Sequence, residues 1–357
     1  MNNMKILSVG YTIHPSRRVF VTVIITFVLL FCMCFETAKA DDTTEKPQIS
    51  ETLNTLSTSL PAFSRNTHTY NKTTIAYFDY YNLRVPNVRH SFGGVEVAGT
   101  EIAVHLFEPG QPRGTVVVAH GYFDHAGIWN HAISYFLEES FSVLIFDFPG
   151  HGLSGGATAD IEDFSQYLEV LSYFQGYAHK NLAKPVHLVG HSMGAGIITE
   201  LVLKKGLEPG SCAVLIAPNI RSAKWRLSRV ANAIVRPFVD AIPRIHRSSS
   251  HNEEFMEFRE HSDPLQAEKM PLRWFRQLVK WSKAMQSLEP RSSSVRVIQG
   301  TDDGTTNWRY NLPFLEEKLP GLDVVKIEGG EHHLINEVPK FRKETFQYIT
   351  DYLLEQH

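Results

Sequence analysis

Residues 186–206 read VHLVGHSMGAGIITELVLKKG, and the parsing of this stretch decides the rest of the chain. The short apolar run 186–189 leads into Gly190-His191-Ser192-Met193-Gly194, and Ala195, Ile197, Ile198, Leu201 and Leu203 follow at helical spacing. A solidly apolar run this short fits a parallel strand covered on both faces, and the switch to a 3.6-residue period marks a helix that starts at once. The turn between them must be tight. Glycines at 190 and 194 suit it, because side chains there would collide with the neighbouring strand and helix. Ser192 is then held at the carboxyl end of a strand, a position that exposes a hydroxyl as a candidate nucleophile.

Outward from this point the same kind of apolar run recurs at 115–119, 142–146, 213–216, 295–298 and 324–327. Helical patterns occupy 128–139, 161–178, 194–205, 312–318 and 340–354. Such alternation predicts an α/β fold, a mostly parallel central sheet with helices on both faces, in which functional groups collect at the carboxyl ends of strands. Ahead of it, 91–97 and 101–107 alternate in strand fashion around Gly99 and predict a hairpin. One interval breaks the alternation. Residues 219–290 hold helical segments at 223–233, 252–261 and 272–287 but no clear strand, so they read as a helical cap inserted between two parts of the core, 76–218 and 291–357.

The beginning of the chain follows another logic. Lys5, Arg17 and Arg18 precede an almost uninterrupted apolar run, 19–35, and Ala38-Lys39-Ala40 supplies the small-x-small pattern of a signal-peptidase site. Residues 1–40 are expected to be a signal peptide cleaved after Ala40, giving an exported protein, secreted or periplasmic. The alternative is an uncleaved membrane anchor, since the run sits at the lower limit for spanning a bilayer. Residues 41–75, rich in Thr, Ser, Asn and charge, read as a flexible spacer. Cleavage would remove Cys32 and Cys34 and leave Cys212, so no internal disulfide is expected and stability must come from the core.

Composition narrows the function classes. The 357 residues are 43% hydrophobic and 20% charged, as in soluble globular proteins. The leader holds four bases and one acid, so its removal takes the formal charge from −3 to −6, and no nucleic-acid partner is expected. There are 17 histidines, yet neither H-E-x-x-H nor paired C-x-x-C occurs, and the G-x-G-x-x-G at 150–155 does not open a helical run as a dinucleotide fingerprint does. No metal and no other cofactor is expected.

A serine hydroxyl becomes nucleophilic only when a base takes its proton, and the base needs a third group to orient it. The run 295–298 ends in Gln299-Gly300-Thr301-Asp302-Asp303, and the run 324–327 ends in Glu328-Gly329-Gly330-Glu331-His332-His333. Each place offers two adjacent candidates. Spacing alone separates neither Asp302 from Asp303 nor His332 from His333.

The marks His120-Gly121-Tyr122, Asp147-Phe148-Pro149-Gly150-His151-Gly152-Leu153-Ser154, Gly190-His191-Ser192-Met193-Gly194, Gly300-x-x-Asp303 and Gly330-Glu331-His332-His333-Leu334-Ile335-Asn336-Glu337 stand in this order along the chain. With them the span from about residue 90 to 355 resembles the α/β-hydrolase superfamily, and within it the group of monoacylglycerol lipases, lysophospholipases and serine aminopeptidase-like proteins. The resemblance implies a catalytic triad of Ser192, Asp303 and His332, leaving Asp302 a loop neighbour and His333 a packing or rim residue. It also implies that the N–H of Tyr122 joins that of Met193, the residue after the nucleophile, as oxyanion-hole donors. The chain departs from glycine-rich lipase loops in having Tyr122-Phe123 after Gly121, bulk that would narrow the acyl site. His120, Asp147 and His151 are expected to order turns.

The cap carries thirteen Lys or Arg against eight Asp or Glu, and within 221–247 seven bases face Asp240 alone. Trp225, Phe238, Phe255, Phe258, Trp274, Phe275 and Trp281 are interleaved with them. A basic, aromatic lid suits amphiphilic substrates with anionic head groups, or contact with an anionic membrane; the plainer reading is that the aromatics bury the cap and the bases are solvated. The leading expectation is an exported serine hydrolase that cleaves esters of lipid-like substrates, lysophospholipid or monoacylglycerol, through an acyl-enzyme. An aminopeptidase, with Glu253, Glu254 or Glu257 holding the substrate amine, or a small-molecule esterase would use the same triad. A non-catalytic binding protein is disfavoured because every catalytic position carries a competent residue.

Overall fold

The computed structural model describes residues 45–66, 69–245 and 247–355, so the leader expected over 1–40 lies outside the described residues. The hairpin forms as β1 (Arg89–Val97) and β2 (Thr100–Glu108), antiparallel, with Gly99 at φ 76° in the turn. Then come β3 (Gly114–Ala119), β4 (Phe141–Phe146), β5 (Val186–His191) and β6 (Ala213–Ile216). After the cap, β9 (Val295–Gly300) and β10 (Asp323–Ile327) complete one eight-stranded sheet of order β1-β2-β4-β3-β5-β6-β9-β10. From β4 to β10 every neighbouring pair is parallel, and β2 joins β4 antiparallel. Every residue of β3, β4 and β5 is buried, which is why these strands read as solid apolar runs without alternation.

Side chains leave a strand on alternate faces, so the sheet divides its apolar residues between two cores. On one face Val117, Leu144, Leu188 and Leu215 pack with α4 (Ser165–Asn181), α5 (Met193–Lys205) and the last cap helix, α8 (Leu272–Met285). On the other, Val116, Val143, Val189 and Val214 pack with α3 (Asn130–Glu138) and α10 (Pro339–Glu355). The remaining core helix, α9 (Trp308–Lys318), joins β9 to β10. The sheet thus places the ends of β3, β5, β9 and β10 along one edge, with β6 between β5 and β9, and every expected site residue follows one of those ends.

The second core also takes in residues that the sequence assigned to a spacer. The expectation of a flexible segment over 41–75 fails for its described part: Glu45–Thr58 forms α1 and Lys72–Tyr80 forms α2. Ile49, Leu53 and Leu56 bury one stripe of α1, and Tyr77 and Phe78 bury one face of α2. The physical reason is spacing. Apolar residues at i, i+4 and i+7 suffice for a buried helix face even where Thr, Ser and Glu dominate the average composition. Asn71 caps α2 by accepting the Thr74 N–H at 2.9 Å, and Arg65 pairs with the buried Glu108 of β2.

Between β6 and β9 lie α6 (Trp225–Val235), β7 (Ala241–Pro243), α7 (Glu253–Glu257), one π-turn (Phe258–Ser262), β8 (Lys269–Pro271) and α8. The ribbon of β7 and β8 was not expected; three-residue strands that each contain a proline leave no period to read.

Candidate active site

Ser192 adopts φ 52° and ψ −111°, a region closed to most side chains, and sits between β5 and α5. The strain is imposed from all sides. A Cβ on Gly194 would lie 2.1 Å from the Ala119 carbonyl oxygen, and one on Gly190 would lie 2.8 Å from the Ala195 nitrogen. The Ser192 N–H donates to the Ile216 carbonyl at 2.9 Å, and the Ser192 carbonyl accepts from the Asn219 and Gly196 N–H groups at 3.0 and 3.1 Å.

The serine hydroxyl donates to His332 Nε2 at 3.1 Å, and His332 Nδ1 donates to Asp303 Oδ2 at 3.0 Å. Of the adjacent candidates that spacing left open, Asp303 and His332 come together with Ser192, whereas Asp302 is solvent-exposed. Asp303 is fixed by the Thr305 and Thr306 N–H groups at 2.7 and 2.9 Å, the Thr306 hydroxyl at 2.7 Å and the Gln299 amide at 3.1 Å. Burial pushes its carboxyl up, but His332 and the Thr306 donors outweigh that and hold it well below the usual carboxylate range.

The loop after β3 passes directly beside the nucleophile: a Cβ on Gly121 would lie 3.2 Å from Ser192 Cβ. Tyr122 therefore sits at the serine, and the Met193 N–H belongs to the first turn of α5, whose N–H groups have no partner within the helix. The bulk of Tyr122 is held away by its hydroxyl, which donates to the Ala159 carbonyl at 2.7 Å, while its ring stacks on Trp274 of α8 at 3.5 Å. Trp281 Nε1 donates to the Glu200 carboxylate at 2.7 Å, and Arg273 and Lys280 pair with Asp160 and Asp163. Helix α8 is thus fixed to α5, to the 160–163 turn and to Tyr122, and Ser192 and His332 are 5% and 3% exposed.

His120 and Asp147 order the surrounding turns. His120 Nδ1 donates to the Gly121 carbonyl at 2.7 Å and its Nε2 accepts the Phe148 N–H at 2.8 Å; Asp147 accepts the Ala126 and Leu153 N–H groups. His151 Nδ1 donates to the Pro149 carbonyl within its turn.

Sequence reasoning missed Asp124, a buried carboxylate that accepts from His191 Nδ1 at 3.0 Å and from the Gly121 N–H at 3.2 Å. His191 Nε2 in turn lies 3.1 Å from the His332 carbonyl oxygen, so Asp124 links the serine, histidine and oxyanion loops. His333 Nε2 lies 3.8 Å from the same carboxylate. Asp124, His191 and His333 are the one set of three clustered ligand-type groups among the described residues; Asp124 and His191 hydrogen-bond to each other, whereas His333 Nδ1 is buried with no hydrogen-bond partner among the described residues. No sequence signal marked this hub, because its members are far apart along the chain and match no ligand spacing. The cap carboxylates Glu253 and Glu257 line an open groove with Glu260 and Glu331, and no triad residue lines that groove.

A strained serine between a buried strand and a helix, with an Asp-His pair from the ends of later strands, defines an α/β-hydrolase. Residues 110–339 match the family model described as serine aminopeptidase, S33, and the chain belongs to that family, in its monoacylglycerol lipase-like group. A monoacylglycerol lipase from Mycolicibacterium smegmatis is 40% identical over 113 residues, 30% of this chain and 39% of that protein. A monoglyceride lipase from Homo sapiens is 26% identical over 71% of this chain and 87% of its own length. Among solved structures, a Paleococcus ferrophilus monoacylglycerol lipase superimposes with a TM-score of 0.61 at 19% identity, over 72% of this chain and 100% of that one. The chain is a lipase/esterase-type α/β-hydrolase.

Proposed function

We propose that the protein is an exported serine hydrolase that cleaves carboxylic esters of lipid-like substrates, monoacylglycerol or lysophospholipid, through an acyl-enzyme. The observation that carries this reading is the chain of hydrogen bonds from Ser192 through His332 to Asp303, at 3.1 and 3.0 Å. Ser192 Oγ attacks the ester carbonyl while His332 Nε2 takes its proton. The oxyanion is received by the N–H groups of Tyr122 and Met193, and His332 returns the proton to the leaving alcohol. Water, deprotonated by the same histidine, then releases the fatty acid and restores Ser192. Asp303, kept ionised, stabilises the imidazolium at both stages.

The substrate class rests on two supports, the monoacylglycerol and monoglyceride lipases among the relatives and an apolar cap. Leu227, Val230, Ile234 and Phe238 are 48–80% exposed, and Arg226, Arg229 and Arg236 flank them, a pattern suited to docking on an anionic lipid surface. The aminopeptidase reading has the description of the matched family in its favour, but Glu253 and Glu257, the groups that would hold a substrate amine, line a groove without a triad residue.

The test is acid release from a panel of monoacylglycerols, lysophospholipids and short-chain esters, using protein recovered from the culture medium, whose first residue the export reading places at Asp41. Ser192→Ala is expected to lower turnover by at least about 10³-fold. Retained turnover in that variant removes the proposed mechanism, and activity confined to short esters removes the lipid assignment.

A further inference from the structure

Two cap arginines lie near the site with no acidic hydrogen-bond partner among the described residues. Arg259 is 5% exposed; its Nη2 reaches the Met256 sulfur at 3.5 Å, and its Nε has no hydrogen-bond partner among the described residues. Arg244 is partly buried, donates to Gln266 Oε1 and holds its Cζ 4.4 Å from the centre of the Phe123 ring. The acids within electrostatic reach of both are Asp124, Glu260 and Asp263, and none of them hydrogen-bonds to either guanidinium. Asp263 already accepts from Tyr81, His125 and Gln266, and Asp124 from His191 and Gly121.

The placement of the pair is specific. Arg244 rests on Phe123, the residue after Tyr122 of the oxyanion loop. Arg259 lies over Phe255 at 5.7 Å, and Phe255 packs at 5.4 Å on His333, the residue after His332. One guanidinium therefore approaches from the oxyanion side and the other from the histidine side. A buried guanidinium without a counter-anion is unfavourable, and a ligand anion would offset that cost. Burial pushes Arg244 down to about 10, with the charge of Arg259 adding to the effect, and burial lowers Arg259 as well.

We infer that Arg244 and Arg259 form a subsite for a phosphate group on the alcohol portion of the substrate. The inference rests on the ester-hydrolase reading above and specifies its substrate as a glycerol-based lipid ester with a phosphate head group. His332 must protonate the leaving alcohol, so the substituents of that alcohol lie on the histidine side of the serine. Planar guanidinium forks suit phosphate oxygens better than a point charge does.

The experiment compares kcat/KM for 1-oleoyl lysophosphatidate and 1-oleoylglycerol, presented in the same neutral detergent micelles. Arg244→Met and Arg259→Met are each expected to lower the ratio of phosphate-bearing to neutral substrate roughly tenfold, and Arg259→Lys to restore part of it. A fall of less than threefold in both Met variants overturns the inference. Should a Met variant not fold, wild type gives the answer. There sn-glycerol 3-phosphate, but not glycerol, is expected to raise KM for the lysophosphatidate without lowering kcat. Absence of this competition, or tighter binding of inorganic phosphate than of glycerol 3-phosphate, overturns the head-group assignment. The two readings fail separately: absence of Ser192-dependent hydrolysis sinks the proposed function. Calorimetric binding of glycerol 3-phosphate to Ser192→Ala protein, lost on adding Arg259→Met, would still uphold the subsite.

Discussion

At the scale of single residues, the clearest contrast is between Asp302 and Asp303. Adjacent in sequence and identical in chemistry, they differ in burial and in partners: Asp302 faces solvent, while Asp303 accepts from His332, Thr305, Thr306 and Gln299. Asp303→Asn is therefore expected to lower kcat on the order of 10⁴-fold by disturbing the orientation and charge of His332, and Asp302→Asn less than about twofold. Steady-state kinetics on one ester decides it; equal losses would mean that the loop matters as a whole rather than through one carboxylate. Because its surroundings hold Asp303 well below the usual range, it remains ionised across the working pH. A carboxyl depressed by folding stabilises above its unfolded value near 3.9 and loses that contribution only as pH falls through the lower folded value. The sequence alone could not separate the two aspartates, since the difference lies in donors supplied by a turn that no periodic pattern describes. The same is true of Asp124, whose importance arises from three loops converging on one carboxylate.

At the scale of elements, the strands were legible because burial on both faces makes them solidly apolar, and the elbow because its glycines are sterically required. Helices α1 and α2 were hidden by a polar average around a few buried positions, and the ribbon of β7 and β8 by its brevity. Helix α6 combines both situations. Trp225 and Asn232 face inward, with Asn232 Nδ2 donating to the Leu272 carbonyl at 3.2 Å. Leu227, Val230 and Ile234, continued by Phe238, present an apolar stripe to solvent. Arginines beside such a stripe favour an anionic lipid surface over water, and each apolar side chain that enters lipid contributes about 1.5–3 kcal/mol. For Phe238→Asp the expected result is a fall of roughly tenfold or more in the rate ratio between lipid ester in anionic vesicles and a short soluble ester. Vesicle sedimentation should show weaker binding in parallel. An equal change on both substrates would remove the membrane reading and leave the stripe without a role.

At the scale of the molecule, the fold is built around histidines that must remain neutral. Burial lowers His90 and His120 to about 3 and His151 to about 4, and it holds His105 and His333 well below the ordinary histidine range. His90 Nε2 meets His105 Nδ1 at 3.0 Å, and His105 Nε2 meets the Tyr77 hydroxyl at 3.1 Å, a relay that ties α2 to the sheet and that protonation would break. An unfolded chain protonates these side chains near 6.5, whereas the folded chain resists until about 3–4, so in that window unfolding takes up protons and stability falls with pH. Two histidines act the other way. Burial lowers His125, but Asp263 outweighs it and raises the ring overall, and Glu337 raises His251. Their contribution is complete below 6.5 and is lost only as pH rises through their folded values, so it does not oppose the acid effect. His251 is also 43% exposed in its side chain, which weakens its share. Even two of the five depressed histidines at full effect would remove ~3 kcal/mol per pH unit, a large part of the ~5–15 kcal/mol that holds a domain folded. Thermal unfolding is therefore expected to give a Tm that is highest near neutrality and drops steeply between pH 6.5 and 5. Phosphate should be left out of the buffers, because an anion held by Arg244 and Arg259 would add its own stabilisation. A Tm that stays level across that interval would mean that these rings are already charged in the folded protein, and the neutral relay through His90, His105 and Tyr77 would have to be abandoned.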